Sequence, residues 1–516
     1  MQPVSGNFDP YAAVRRVGAQ VVFELIDVDA AEATSVITSA KQASVSNSAQ
    51  LYDRILFMSK ALATLEPNYW RLDGKFGIFD YANRGECGFW SSSLSNDSGS
   101  ISSYIRFDFA TGQSSDGFTI VFDDKTGECA SDFKIQVYGP TLSKLMATKT
   151  ITGNTEPVCW VDMPVQNYRR VRITFTKTSN PHRRIRVCEV VFGRVQVFGS
   201  DDIASLRVQR QTAPDMASLP AGALELTINN ADGQYNINNP GGIYAYLQKG
   251  QGLTVYAGVD GELVSLGRYY FDNAESSDNS MTAKITAYDQ VFALDGVYYN
   301  AGKTGTWTVS AAVAAIVAAS GLAISYDIPA GLASRIVGQC IPRNTSCREA
   351  LRLIAQAARC VCYFDTLDKL VFAEPVLSEV AQTYTTDHMG RWPKMADKGL
   401  INSVKLTVRN EYTDTETMYT AQNIDTGETE KLLEVDNPLA TEQAVADWLL
   451  QLAGWRYTAE IDERGNPALE LLDGVTAPDK FGNVLKGMVT DQTFSIMSSG
   501  MSGTTKLLAE KGGADA

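Results

Sequence analysis

Histidine is almost missing from this chain: His182 and His388 are the only two in 516 residues. That scarcity disfavours His-rich metal sites and leaves at most an isolated general base. The eight cysteines are spread thinly, without the density of a secreted disulfide scaffold, so the thiols are read as mostly reduced. Positive charge is in deficit, with 45 Lys and Arg against 59 Asp and Glu and a formal net charge of −14. The deficit opposes non-specific attraction to phosphate backbones and anionic membranes, so no nucleic-acid binding is expected. No stretch approaches the roughly 20 apolar residues of a membrane-spanning helix, and MQPVSGNFDPYAAVRRVGAQ holds no apolar core of signal-peptide length. A soluble chain made in the cytosol is the expectation. GxSxG, HExxH, Walker-type loops and a GxGxxG after a strand are all lacking, so neither a cofactor nor a catalytic residue is assigned. What is present is 44% apolar and 9% aromatic residues, ample for packed cores. At about 100–200 residues per domain, that length suggests three or four domains.

The segment QVVFELID from Gln20 reads as a strand, and the Ser, Thr and Ala-rich residues 33–50 as a linker or exposed strand entering a new module. A boundary is placed near Val45. Leu51, Ile55, Leu56 and Leu62 have near-helical spacing, which predicts a short amphipathic helix over 51–64. Short runs such as YIRFDF, FTIVFD, FKIQVY, YRRVRITF and IRVCEVVFG then alternate with polar loops, the pattern of an antiparallel sandwich. A second boundary falls near 199–211. LELTIN, GLTVYAG, LGRYYFD and MTAKITAYD continue as strands over 220–297, a small all-β unit expected to share a domain with the strand at 20–27. Helices are predicted in TVSAAVAAIVAASGL, capped by Thr308 or Ser310 and stopped at Gly321, and in NTSCREALRLIAQAARC, capped by Thr345 or Ser346. CVCYF and KLVFA, joined by DTLD, read as a hairpin. Beyond Leu400 come the strand INSVKLTV, a helix over 441–457 with Thr441 as cap, and strands near 467–472, 483–490 and 492–497.

Cys340, Cys347, Cys360 and Cys362 could supply four thiolates to zinc, but they lack the paired C-x₂₋₄-C knuckles of structural sites, and packing cysteines are the better reading. Asp123, Asp124 and Glu128 in DDKTGE offer hard oxygen ligands, against the plainer reading of a hairpin turn with solvated charges. No metal is assigned. Tyr69, Trp70, Phe89, Trp90 and Trp160 lie near predicted loops of the sandwich, where rings could stack on sugar faces. Trp and Tyr are also ordinary core residues, and for any one of these rings the core reading is the favoured one. Trp90, Tyr69, Trp160 and Arg84 are taken as the carbohydrate-contact candidates, by residue type and loop position.

Two resemblances are carried by particular strings. LEPNYWRLDGKFGIFD, GFWSSSLSNDSGSISSYIRFDF, FTIVFDDKTG, DFKIQVYG and YRRVRITFTKTSNPHRRIRVCEVVFG, closing on Glu189 and Phe192-Gly193, are similar to a discoidin-type, galactose-binding-like jelly roll. IASLRVQRQTAP, the Asn230–Asp232–Gly233 turn, Gly250 and Gly252, Leu266-Gly267 and Asp289, followed by TSCREALRLIAQAARCVCYFDTLDKLVF, resemble the baseplate hub or tail-associated proteins of phage tails and related contractile injection particles. The hairpin departs from that pattern, with Asp368 and Lys369 where a turn Gly is common. The resemblance implies a mainly β chain with two small tube-like β-barrel domains, an α+β domain and an inserted discoidin-like β-sandwich. The implied domains are 1–44 with 199–297 as the first hub barrel, 45–198 as the inserted jelly roll, 298–395 as the α+β domain and 396–516 as the second hub barrel.

It further implies a virion structural protein, assembled in the host bacterial cytoplasm. Such a protein would be a homotrimer whose pseudo-sixfold ring closes the tail tube and meets distal-tail, tape-measure and tail-tip proteins. The insert would either bind a host cell-surface glycan or brace neighbouring baseplate proteins. Two rival expectations are a carbohydrate-binding adhesin at the cell surface and a cell-wall hydrolase with an accessory lectin-like domain, which would need a catalytic carboxylate pair.

Overall fold

A computed structural model of the chain describes residues 1–39, 42–53, 56–58, 61–69, 76–78, 87–236, 238–239, 242–276, 280–298, 303–377, 379–498 and 500–509. The chain is mainly β, as expected, and divides into two compact units, Phe23–Gln196 and the pair Met1–Val22 with Val197–Ala516. The inserted unit thus begins at Phe23 rather than near Val45. The physical reason is that Ala33–Thr38 already pairs antiparallel with residues 105–109 of the sandwich.

In the inserted unit, alternation of apolar and polar residues makes the strands and sets which face each residue takes. Ala33–Thr38, the first half of Ser100–Val121, Val158–Thr178, Ala130–Tyr138 and Leu145–Ile151 form one antiparallel sheet in that order. Register shifts between Asp108 and Gly117 bend the long strands, and their other halves, with Glu189–Phe198 beside residues 119–121, build the opposite layer. Phe192 centres the core, with Phe107, Phe109 and Phe118 edge-on at 5.2, 5.3 and 5.5 Å. Such aromatic pairs contribute beyond the area they bury. The next residue, Gly193, has φ 140°, and a Cβ there would sit 2.2 Å from the Leu25 carbonyl oxygen. Only glycine lets these two strands approach this closely.

No helix forms over the described part of 51–64. Ser48–Tyr52 is a 3₁₀ turn capped by Asn47, and Ala61–Leu62 is a short strand. Leu51 is buried from the 3₁₀ turn, Leu56 from irregular backbone and Leu62 from the strand, so their spacing imitated a helical stripe without a helix; Ile55 lies outside the described residues.

The other unit carries two ladders, antiparallel except where Val380–Thr383 pairs parallel with Gly474–Pro478. In the first, Gly252–Val259, Glu262–Ser276, Thr282–Tyr288, Ala223–Asn229 and Ile203–Gln211 pair in sequence around the sheet. Ile203–Gln211 then pairs through residues 205–211 with Val484–Met497, which begins the second ladder. That ladder continues through Gly500–Ala509 and Tyr457–Glu463 to Lys394–Asp397, with Gly474–Pro478 and Val380–Thr383 on its other side. The strand expected at 467–472 is instead a turn, with Leu472 at φ 67° and Leu469 and Leu471 buried in the barrel-side core.

Helices Val309–Ser320 and Cys347–Ala357 form as predicted, capped by Thr308 and Ser346, with Gly321 at φ 70° ending the first. Helix Gln443–Ala453 follows Glu442 and not Thr441 as its N-cap residue. Val404, Leu406, Val445 and Leu449 pack in the same cluster as Val313, Leu351, Ile354 and Phe372. The strand at Ser403–Asn410 and this helix therefore belong with the α+β core, and residues 396–516 are not one barrel. A strap of residues 2–16 crosses both ladders: Gln2 N–H donates to the Ala468 carbonyl (2.7 Å), Ser5 N–H to Glu262 Oε1 (2.7 Å) and Tyr11 Oη to Glu463 Oε2 (2.5 Å).

Candidate functional site

At one end of the inserted sandwich, residues 66–69, 87–96, 123–128 and 180–187 converge around Arg186, whose side chain is wholly buried. Its Nη2 donates to Glu66 Oε1 at 2.5 Å, and its Nε lies 3.9 Å from Asp123 Oδ2. The guanidinium is sandwiched between two rings, 4.1 Å from the Tyr69 centroid and 4.4 Å from that of Trp90. Cation–π contacts are strongest when desolvated in this way. Tyr69 Oη donates to Asp123 Oδ2 (3.2 Å), and Trp90 Nε1 to the Cys87 carbonyl (2.7 Å). Arg183 donates to Glu128 Oε1 at 2.8 Å and to the Pro67 and Asn68 carbonyls, tying the 66–69 loop to the 123–128 hairpin. Burial raises the Asp123 carboxyl above its ordinary range despite Arg186, and burial likewise raises the Tyr69 phenol.

This arrangement locks the loops and corrects the sequence expectation for two of the candidates. Trp90 (1% exposed) and Tyr69 (7%) turn inward, because their faces are already occupied by Arg186, and so offer no ring to a sugar. Trp160 is half-buried in mid-strand opposite Thr119, lying across Gly117, and does not join the cluster. Arg84 and Trp70 fall outside the described residues. Among the described residues that this end leaves open are Leu65, 99% exposed, and Asp97, paired at 3.0 Å with His182 Nε2.

The DDKTGE loop is a tight hairpin turn. Asp123 accepts from the Lys125 and Thr126 amides, Asp124 meets Lys125 and Glu128 meets Arg183, so these carboxylates already have partners. All eight cysteines are free and buried, and burial pushes the Cys360 thiol up to about 12 and Cys362 well above its usual value. Among the described residues, no group of three or more His, Cys, Asp or Glu is placed to hold a metal ion. No helix is long and apolar enough to cross a membrane, again among the described residues.

Sequence reasoning passed over a second feature of this unit, the arginines on the outer face of its first sheet. The signal was present: Tyr104, Arg106 and Asp108, and Arg170, Arg172 and Thr174, recur at every second residue and so share one face.

No protein-family description and no curated protein matches the chain. Among solved structures it is similar to the 43 kDa tail protein of prophage MuSo2 from Shewanella oneidensis. That match has 15% identity and a TM-score of 0.43, and covers 61% of this chain and 94% of the other. It is also similar to a tail protein from Neisseria meningitidis MC58, at 12% identity and a TM-score of 0.45, covering 61% and 94%. A third match, at 12% identity and a TM-score of 0.21, is to chitosan-binding module 1 of a chitosanase/glucanase from Paenibacillus sp. IK-5, covering 33% of this chain and 99% of that one.

Proposed function

We propose that this chain is a structural protein of a phage or phage-like tail, built into the baseplate hub as a homotrimer. The observation that carries the reading is the ladder between Ile203–Gln211 and Val484–Met497, which joins two β ladders edge to edge within one chain. A chain with two such ladders contributes two of six positions to a threefold ring. The motif order from IASLRVQRQTAP to the DTLD hairpin, which resembles hub proteins, supports the same reading. Lys394–Asp397 is exposed at every position and pairs only with Tyr457–Glu463 among the described strands. An edge of this kind templates pairing with another chain, and a head-to-tail ring would cover it.

In this reading the hub closes the tail tube and seats tape-measure and tip proteins, performs no catalysis, and displays its jelly roll to cell-surface glycan. Immunogold electron microscopy of an induced lysate, with antibody against residues 46–198, tests it. Gold at the distal ends of tail-like particles is the expected result. Gold on cell envelopes and none on particles would favour an adhesin and sink the proposal. Clearing of purified host walls by the chain, abolished by one Asp or Glu substitution, would overturn the non-enzymatic part.

A further inference from the structure

The outer face of the first sheet of the inserted unit carries charge of the wrong sign for a chain with a net charge of −14. Register places Arg106 directly opposite Arg172, with Gln136 beyond it. The row on one side holds Asp108 and Arg170, and the row on the other holds Tyr104, Thr174 and Lys134. These rows therefore hold four cations and one carboxylate. That carboxylate is already used: Arg170 grips Asp108 with Nε–Oδ1 at 2.5 Å and Nη2–Oδ2 at 2.9 Å, and Arg106 Nη2 reaches Oδ2 at 3.2 Å.

Arg172 has no carboxylate partner among the described residues, and its guanidinium rests over the Tyr104 ring at 4.3 Å. The Nε atoms of both Arg106 and Arg172 are buried without a hydrogen-bond partner. Like charges directly opposite on neighbouring strands destabilise a sheet. Orphaned buried donors add to that cost. An anion that lies across the pair relieves the repulsion between the two guanidinium groups, which meet it through their outer nitrogens.

We propose that this sheet face binds an anionic polysaccharide, with Arg106 and Arg172 holding its carboxylate or phosphate groups. The inference rests on the reading of the insert as a glycan-binding module, but puts the contact on the sheet rather than at the loop end. Guanidinium forks match carboxylates and phosphates in two-point contacts. The half-buried Tyr138 ring and the Gln136 amide border the pair, and can meet the apolar faces and hydroxyls of sugars. An acidic protein surface would satisfy the charges but would not need that ring.

The test uses the purified full chain and three immobilised polymers: polygalacturonate for carboxylate, a teichoic acid for phosphate and neutral galactan. Expected is salt-sensitive binding to one or both polyanions, weakened about tenfold or more in the double variant Arg106→Gln/Arg172→Gln. Lys480→Gln, an exposed lysine of the other unit, should bind as the native chain does. Thermal melts should show the double variant folded, with Tm unchanged or raised, because the like-charge pair is gone. Equal binding by native and double-variant chains overturns the proposal, as does binding to galactan alone. Unchanged polyanion binding with lost self-association would overturn it in favour of a protein contact. None of these failures touches the immunogold result, so the tail reading stands or falls separately.

Discussion

At the scale of single residues, two buried charges set the strongest expectations. Arg186 holds Glu66 and faces Asp123 with no solvent access, so truncating it takes the buried cation away from two interior carboxylates. Arg186→Ala should destabilise the inserted unit by about 3–5 kcal/mol, read from denaturant unfolding, because breaking a buried pair leaves an uncompensated charge. Asp289 caps the short helix Gln290–Ala293 through the Val291 amide and also accepts the Gly222 amide at 2.7 Å. Burial pushes its carboxyl up to about 7 from an ordinary 3.8. Between those values the folded chain binds a proton that the unfolded chain does not. Its contribution to stability is therefore full below about pH 4, falls as the pH rises and is lost above about 7. Asp289→Asn keeps a capping acceptor and removes the titration, so the fall in Tm from pH 5 to pH 8 should be shallower in calorimetry.

At the scale of elements, Gly193 is the position where the closing strand of the sandwich tolerates no side chain. Gly193→Ala would bring a Cβ against the Leu25 carbonyl and is expected to cost on the order of 3 kcal/mol or more in thermal unfolding. The Phe192-Gly193 pair was visible in the sequence, as were the strands with clean alternation and the helix capped by Ser346. What escaped the sequence reading has a common physical cause. Val380–Thr383 and Lys394–Asp397 are short and lack any buried stripe, so no periodicity marks them. The buried apolar residues within 51–64 had a stripe without a helix. The turn at residues 365–368 shows a different limit: Asp368 adopts φ 60° where glycine is common, held by Tyr270 Oη at 2.5 Å and Gln290 Nε2 at 2.9 Å. Those partners lie 98 and 78 residues away in sequence, beyond any local signal. The candidate site was half legible for a related reason. A ring's type is written in the sequence, but whether Trp90 faces solvent or Arg186 depends on four separate segments meeting.

At the scale of the whole molecule, the strap of residues 2–16 holds the two ladders through contacts with residues far along the chain. Tyr11 Oη reaches Glu463, which is buried and also accepts from Thr505 Oγ1 at 2.5 Å. Tyr11→Phe removes one donor from that carboxylate and should cost about 1–3 kcal/mol in the unfolding of the larger unit, while leaving the inserted unit unaltered.

The same strap sets an order of events during synthesis. Everything the inserted unit needs has been made once residue 196 is out, whereas the strap waits for partners near residues 463–468. At about 5–20 residues per second, that interval is on the order of tens of seconds. A ribosome-bound chain stalled near residue 250 should therefore already contain a protease-resistant sandwich, with residues 2–16 still open to cleavage. The guest module matures first, and its host closes around chain that was made before it.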